Sequence, residues 1–280
     1  MSVNNESEPL DQNYSPDRVF YAFGRMLSVQ DFDDEQTYHR GRLARAMAYL
    51  EGSGTVAGLK VLYQGPVGPD EEIEVTAGMA VDRLGRIIEV PRQACIRLDR
   101  WFKAQQPGDL VQGFHVAAGG VIADVFIRFV PCERGNTPAF ASGPFDATDA
   151  TSPSRIRDGY QLDLVIRKEG TPGLPQNPWP DLASIPAIAD RRAALHNAIF
   201  AGWHEGTDAR DENGHLKPLP EHADGQDTLS LFLARVVIPA AAATGGAPPV
   251  RSGPLTGKNI DNESRTFLYT PLALGRWIGI

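Results

Sequence analysis

Four of the six histidines, His196, His204, His215 and His222, crowd into one stretch together with Asp208, Asp211 and Glu221. These are residue types that hold zinc, but zinc sites join some of their ligands by short fixed spacings. No pair here shows the familiar three-to-five-residue gap, and His204-Glu205 does not open an HExxH motif. The group reads as surface histidines around a loop. Asp208–Gly214 resembles half of a calcium loop. With Gly214 at loop position 6, position 1 falls on Ala209 and position 12 on Pro220, so the first ligand and the bidentate glutamate are both missing. An acidic turn is the expectation there. Arg134 with Ser154–Arg157 could form a basic groove for an acidic ligand, although isolated arginines at strand ends are commonly solvated or paired. Asp124 and Asp163 could serve as paired carboxylates in a cleft. Both alternate with apolar residues, which places them on the polar face of a half-exposed sheet. Trp101, Trp179, Trp203 and Trp277 could stack on sugar rings, but no spacing joins them. GxSxG, P-loop and GxGxxG motifs do not occur. No catalytic residue, cofactor or metal is assigned.

Composition narrows the function classes. The chain has 280 residues, 42% of them hydrophobic and 22% charged, which suits one large or two small globular domains. Its formal charge of −8 argues against general nucleic-acid binding, which rests on a basic surface that neutralises phosphates. It also disfavours docking on acidic lipid. No apolar run reaches the roughly 18 residues of a membrane span. Met1–Tyr14 is polar and acidic, unlike a signal peptide. Cys95 and Cys132 are too few for a disulfide scaffold or a four-cysteine zinc site, and their pairing stays open. Glycine and proline concentrate in Gln64–Asp70, Gly135–Pro153, Gly170–Pro180 and Ala240–Gly257, which read as long loops or arms.

Residues 1–17 read as a tail, and Val19–Phe23 as a short strand or arm. Ser28, followed by Asp31, Asp33, Asp34 and Glu35, is an N-cap with acid in the first turns. The spacing of Leu43, Ala46, Met47 and Leu50 predicts a helix over 29–51 with those residues toward the core, ended by Gly52 and Gly54. Alternation then predicts strands in 55–63, a hairpin or meander over 73–90 turning at Asp82–Gly85, and a strand through Cys95, Ile96 and Leu98. Further strands are expected at Val121–Val130, with Val121, Ala123, Val125, Ile127 and Phe129 on one face, at Gln161–Arg167 and at Thr228–Pro239. Pro186–Glu205 reads as a helix with Ile188, Leu195, Ile199 and Trp203 along one side, and Leu268–Ile280 as a large apolar and aromatic ending.

Four segments in order resemble a known family. Val29–Leu50 resembles its opening helix, with an acid-and-glutamine start leading to a tyrosine and a basic stripe. Gly54–Val61 resembles a "G-V-V-x-G-L-x-V" strand entry, Thr76–Val90 an "x-x-G-x-A-x-D-x-x-G-R-x-I-x-V" hairpin, and Ser154–Tyr160 an "S-R-I-R-E-G-Y" strand entry. The family comprises structural components encoded beside contractile tails, in phage-like tails and extracellular contractile injection systems, near baseplate genes. The resemblance spans about 19–168, with a weaker echo at 228–239; Pro178–Asp224 and the aromatic C-terminus match nothing in it. It implies a virion-like structural protein, not an enzyme, with several copies per particle. Its partners would be other tail or baseplate subunits, with no nucleic acid and no membrane span. Such a protein would be assembled in the bacterial cytoplasm into a phage-like or released particle. Gly54, Gly58, Gly78, Asp82 and Gly85 are the turn-making residues of these motifs.

The expected fold is α+β and β-dominated: an antiparallel sandwich or open barrel with an N-terminal helix and a helical insertion. The divisions are an N-terminal arm at 1–28, helix plus β core at 29–175, a helical or loop insertion at 176–226, a strand returning to the core at 227–239, and a C-terminal arm at 240–280. Partner contacts are expected from Tyr38, Arg40 and Arg42 on the first helix and from Phe267, Tyr269 and Trp277 at the end. For these last residues, folding onto the protein's own core is an equal expectation. The alternative function is a carbohydrate-binding or glycan-hydrolysing β-rich module using the tryptophans and Asp124 with Asp163.

Overall fold

The structure, a computed structural model, describes residues 10, 16–138, 151–177, 179–202, 210–242 and 247–279. It is α+β and strand-rich, and every strand pair within its sheets is antiparallel. Helix α1 (Val29–Leu50) starts where the sequence places it. Ser28 and Asp31 form a reciprocal capping box, with the Ser28 backbone N–H donating to Asp31 Oδ2 at 2.7 Å. Residues β1 (Gly54–Gly58), β2 (Val61–Gln64), β3 (Glu72–Val75), β4 (Gly78–Val81), β5 (Ile87–Val90) and β6 (Ala94–Arg97) follow. They form two three-stranded sheets, β1-β4-β5 and β2-β3-β6. The expected meander over 73–90 is therefore corrected: β4 and β5 make the hairpin, but β3 pairs with β2 and β6 instead. Leu98, expected in a strand, opens helix α2 (Leu98–Ala104) and with Phe102 points into the core.

After α3 (Pro107–Gln112) and β7 (Phe114–His115) come the long strands β8 (Gly120–Pro138) and β9 (Thr151–Ile166), then α4 (Ile188–Ala201) and β10 (Leu231–Ala241). Strand β8 has β10 on one side and β7 and β9 on the other. The short strands β11 (Val250–Arg251) and β12 (Ile260–Asp261) pair with β10. Parts of the glycine- and proline-rich stretch at 135–153, expected as loop, instead extend β8 and β9; residues 139–150 lie outside the described residues. The predicted apolar face of β8 is as expected. Val121, Ala123, Val125, Ile127 and Phe129 join one apolar cluster with Leu59, Ile73, Ile88, Leu98, Leu233 and Ile238, so strands of all three sheets share it.

The opposite face of β8 departs from the expected half-exposed polar surface. Asp124 is fully buried there. Arg167 Nη1 donates to its Oδ2 at 2.6 Å, and Arg235 donates to both carboxylate oxygens at 2.8 Å. The register makes this possible, since Arg235 lies directly opposite Asp124 in the β8–β10 ladder. The same guanidiniums also reach backbone carbonyls: Arg167 that of Glu221, and Arg235 those of Pro172 and Gly173. Segments 167–173 and 216–230 are thereby drawn over the face that the alternation alone would leave in water. His222 sits beneath them, its ring 6.1 Å from that of Phe126. Its Nδ1 accepts from the Leu219 N–H at 2.9 Å and its Nε2 lies 2.8 Å from the Ser230 carbonyl, which requires the neutral ring with hydrogen on Nε2.

Helix α1 rests on the β4–β5 turn. Asp82 closes that turn: its Oδ1 accepts from the Leu84 and Arg86 N–H groups and its Oδ2 from Arg86 Nε at 2.6 Å. Gly85 has φ +84°, and a Cβ there would lie 1.7 Å from the Ala44 carbonyl oxygen. This contact corrects the expected helix face. Thr37 and Ala44 are the buried residues of α1, whereas Leu43, Ala46 and Leu50 are exposed and Met47 is half-buried. A backbone turn offers small residues close approach, so the helix packs through alanine and leaves its leucines outside.

Three outcomes follow. Asp124→Ala leaves two buried guanidiniums without their shared carboxylate and should lower unfolding free energy by about 3–5 kcal/mol in urea titrations. Gly85→Ala should lower it by at least about 1–3 kcal/mol, because the added methyl must push α1 off the turn. Burial, the largest influence, holds the His222 pKa below the usual histidine value, with Glu221, Arg83 and Asp227 as the nearby charges. A depressed histidine pKa contributes stability that is fully present above the unfolded value of about 6.5 and is lost as pH falls below it and through the lower folded value. Urea midpoints measured from pH 8 down to pH 5 should therefore drop, and His222→Gln should flatten that part of the profile.

Candidate interaction surfaces

The C-terminal stretch divides into a docked part and an exposed part. Leu255 and Ile260 are buried, and Asn262 joins its side-chain amide to both backbone groups of Val61, at 2.9 Å each, in the manner of an added strand residue. Arg265 is buried; it donates to the Leu59 carbonyl at 2.7 Å and to Asn262, and burial lowers its pKa to about 10. The Thr55 N–H then bonds Thr266 O and the Leu268 N–H bonds Thr55 O, both at 2.9 Å, so residues 266–268 run beside β1. Phe267 belongs to this docked part, half-exposed beneath the Arg265 guanidinium at 5.9 Å.

Beyond it the chain enters α5 (Pro271–Ile278), capped by the Thr270 hydroxyl and opened by proline. Leu272 is 74% exposed and Trp277 78%, and Tyr269 stacks loosely on Trp277 with ring centroids 6.3 Å apart. The helix is amphipathic, yet Leu272, Leu274 and Trp277 face water. Leu268 lies near Gly52, which places this segment by the C-terminal end of α1, where Leu50 is also exposed.

On α1 itself, Arg40 and Arg42 are exposed and Tyr38 is half-buried with its ring edge-on to His39 at 5.3 Å. A helix of 22 residues is about 33 Å long. Tyr38, Arg40 and Arg42 therefore occupy its middle, while the α5 aromatics gather past its end. Sequence reasoning missed a second apolar surface, at the N-terminal end of α1. Phe20, Tyr21, Phe23, Met26, Val29 and Phe32 are all exposed there. Their density of aromatics was the available signal. Helix α4 is likewise exposed, with Ile188, Ile199 and Phe200 outside and Leu195 half-buried.

Beside Gly85 and Asp82, Gly58 and Gly78 let β1 and β4 approach so closely that a Cβ on either would meet backbone at 2.0 and 2.2 Å, and Gly54 meets Thr266 O in the same way. Asp124 and Asp163 do not form a catalytic pair. Asp124 is locked by Arg167 and Arg235, while Asp163 bonds Gln161 and faces Arg128 at 3.6 Å. Trp101 is also unsuited to a sugar platform, since its indole donates to Leu164 O and its ring packs on the core; Trp203 lies outside the described residues. His196 and His215 are exposed and His222 is buried, so these three do not converge, and His204 and Asp208 lie outside the described residues. Asp211 closes an acidic turn by accepting from the Asn213 and His215 N–H groups. Cys95 and Cys132 are unpaired and exposed. No described helix is long and apolar enough to cross a membrane.

No protein-family model matches the chain, and no curated protein does. Among solved structures, one chain of the baseplate complex from the type VI secretion system is similar over 55% of this chain, with 12% identity and a TM-score of 0.28. The match spans 49% of that chain, about half its length. A likeness this loose carries no inference about fold or function.

Exposed apolar side chains on α5 should be dispensable for the fold and costly in solution. Leu272→Glu with Trp277→Glu should leave unfolding free energy within about 0.5 kcal/mol per site. The same variant should bind less hydrophobic dye and self-associate less in sedimentation, whereas a large loss of stability would show that α5 is part of the core.

Proposed function

We propose that the chain is a non-enzymatic structural subunit of a contractile tail or contractile injection particle, at or near the baseplate, present in several copies. It would be assembled in the bacterial cytoplasm and bind neighbouring subunits through its terminal segments. The observation that carries this reading is the apolar surface left in water at both ends of α1. Phe20, Phe23 and Met26 lie at one end and Tyr269, Leu272 and Trp277 at the other, on segments that contribute little to the monomer's own core. Groups of exposed apolar side chains, at each end of α1, are the kind of surface on which another protein packs.

The ordered sequence resemblance over 19–168 supports the same reading. Its motif residues are turn glycines, a turn-closing aspartate and core aliphatics, which build a scaffold and transfer no group. Tyr38, Arg40 and Arg42 on the open side of α1, with Phe267, Tyr269 and Trp277, are the residues assigned to subunit contact. The arginines would supply the polar rim around aromatic anchors, the usual composition of an interface.

Native mass measurement with cross-linking tests this, on the protein alone and then co-expressed with its genomic neighbours. A large defined particle is expected, with cross-links from exposed Lys258 to other subunits. Leu272→Glu with Trp277→Glu should remain folded and fail to enter it. A clean monomer that acquires no partner under co-expression would overturn the proposal.

A further inference from the structure

Beyond Ile127, where its pairing with β10 ends, β8 continues with β9 as a two-stranded ribbon. Its root is packed, with Phe129 and Val130 buried, but residues 131–138 and 153–158 further out are exposed. The register sets Cys132 opposite Arg157 and Arg134 opposite Arg155. Directly opposed residues, and residues two apart in a strand, share a face. Arg134, Arg155 and Arg157 therefore stand together on one side, with Glu133, Ile156 and Asp158 on the other. Arg128, at the root, is flanked by Asp163 and Asp227. Among the described residues no carboxylate pairs with the three outer arginines.

Like charges directly opposed across a ladder destabilise it. Protection of an edge from aggregation needs only scattered charge, for which lysine and proline suffice. Three arginines on one face go beyond that need. The ribbon also has free edges: among the described residues, no further strand pairs with β8 past Ile127 or with the outer side of β9. Backbone donors and acceptors thus run beside a row of guanidinium forks, which suit carboxylates in bidentate geometry.

We propose that this ribbon docks an extended acidic segment of a partner protein. The segment adds as a strand along a free edge and sets carboxylates at alternate positions against Arg134, Arg155 and Arg157. Alternate residues of an added strand lie about 6.6 Å apart, the same spacing as Arg155 and Arg157 on β9. A protein segment is favoured over nucleic acid because the chain carries a net charge of −8 and the ribbon's other face presents Glu133 and Asp158. This surface is separate from α1 and α5 and does not depend on the particle reading.

Fluorescence anisotropy on the intact chain provides the test. The probes are a labelled alternating Glu-Thr peptide of about twelve residues, a peptide of the same composition with its glutamates clustered, and a single-stranded oligonucleotide of similar length. The alternating peptide should bind saturably, more tightly than the other two, and more weakly as salt rises. Arg134→Gln, Arg155→Gln and Arg157→Gln together should weaken it at least about tenfold with an unchanged circular dichroism spectrum. Glu133→Gln with Ile156→Thr, on the opposite face, should bind as the parent does. Absent binding, equal binding by the triple variant, or preference for the oligonucleotide would overturn the proposal. So would loss of self-association, rather than of peptide binding, in the triple variant.

Discussion

One buried carboxylate organises the larger sheet. Asp124 occupies a β8 position that alternation assigns to the polar face, and it is met by Arg235 from the neighbouring strand and Arg167 just past the end of β9. Taking three charges out of water is costly, and the remaining guanidinium hydrogens must find acceptors. They find them on the carbonyls of Pro172, Gly173 and Glu221 and on the Glu169 carboxylate, which accepts from Arg167 Nε and Nη2 at 3.2 Å each. Satisfying the cluster therefore requires two irregular segments to lie over the sheet. Those segments in turn bury Phe126, Phe232 and His222. The layer on that side of β8 is a consequence of charge satisfaction as much as of apolar burial.

The same device recurs around the core. Arg86 closes on Asp82 and lies 4.6 Å over the Phe129 ring, joining the β4–β5 hairpin to β8. Arg251 grips Glu71 with two parallel bonds of 2.6 and 2.8 Å, tying β11 to the start of β3. Arg265 anchors the C-terminal stretch on the Leu59 carbonyl. Each arginine spans segments far apart in sequence, and its planar fork fixes their mutual orientation. Such pairs contribute specificity of arrangement more than net stability. They also divide the cationic side chains by role. Arg86, Arg167, Arg235, Arg251 and Arg265 are structural, while Arg134, Arg155 and Arg157 on the ribbon are left outward.

The terminal segments follow a different logic. Helix α1 is well capped and long, and it meets the β4–β5 turn through a contact that admits only small residues, so among the described residues Leu43 and Leu50 stay exposed. Helix α5 reaches the same state by another route: residues 250–268 are held firmly along β10, β2 and β1, and the last turns extend beyond them. A chain built this way presents ordered apolar surface without the entropic cost of folding an arm on contact.

Local signals in the sequence determined much of this. The Ser28 cap, the Asp82–Gly85 turn, the five-residue apolar face of β8 and the strand at 231–241 depend on neighbours within a few residues, where capping, turn chemistry and alternation act. The close-packed glycines at 54, 58, 78 and 85 were legible for the same reason. Only the tertiary structure decided which strands share a sheet, since β3 and β4 adjoin in sequence and part in space. It also decided that α1 packs through Ala44, and that Asp124 is a buried structural anchor instead of half of a carboxylate pair. The partners of a charge lie 43 and 111 residues away along the chain. Composition and periodicity cannot name them, because a period-two pattern says which face a residue takes and nothing about what later covers that face.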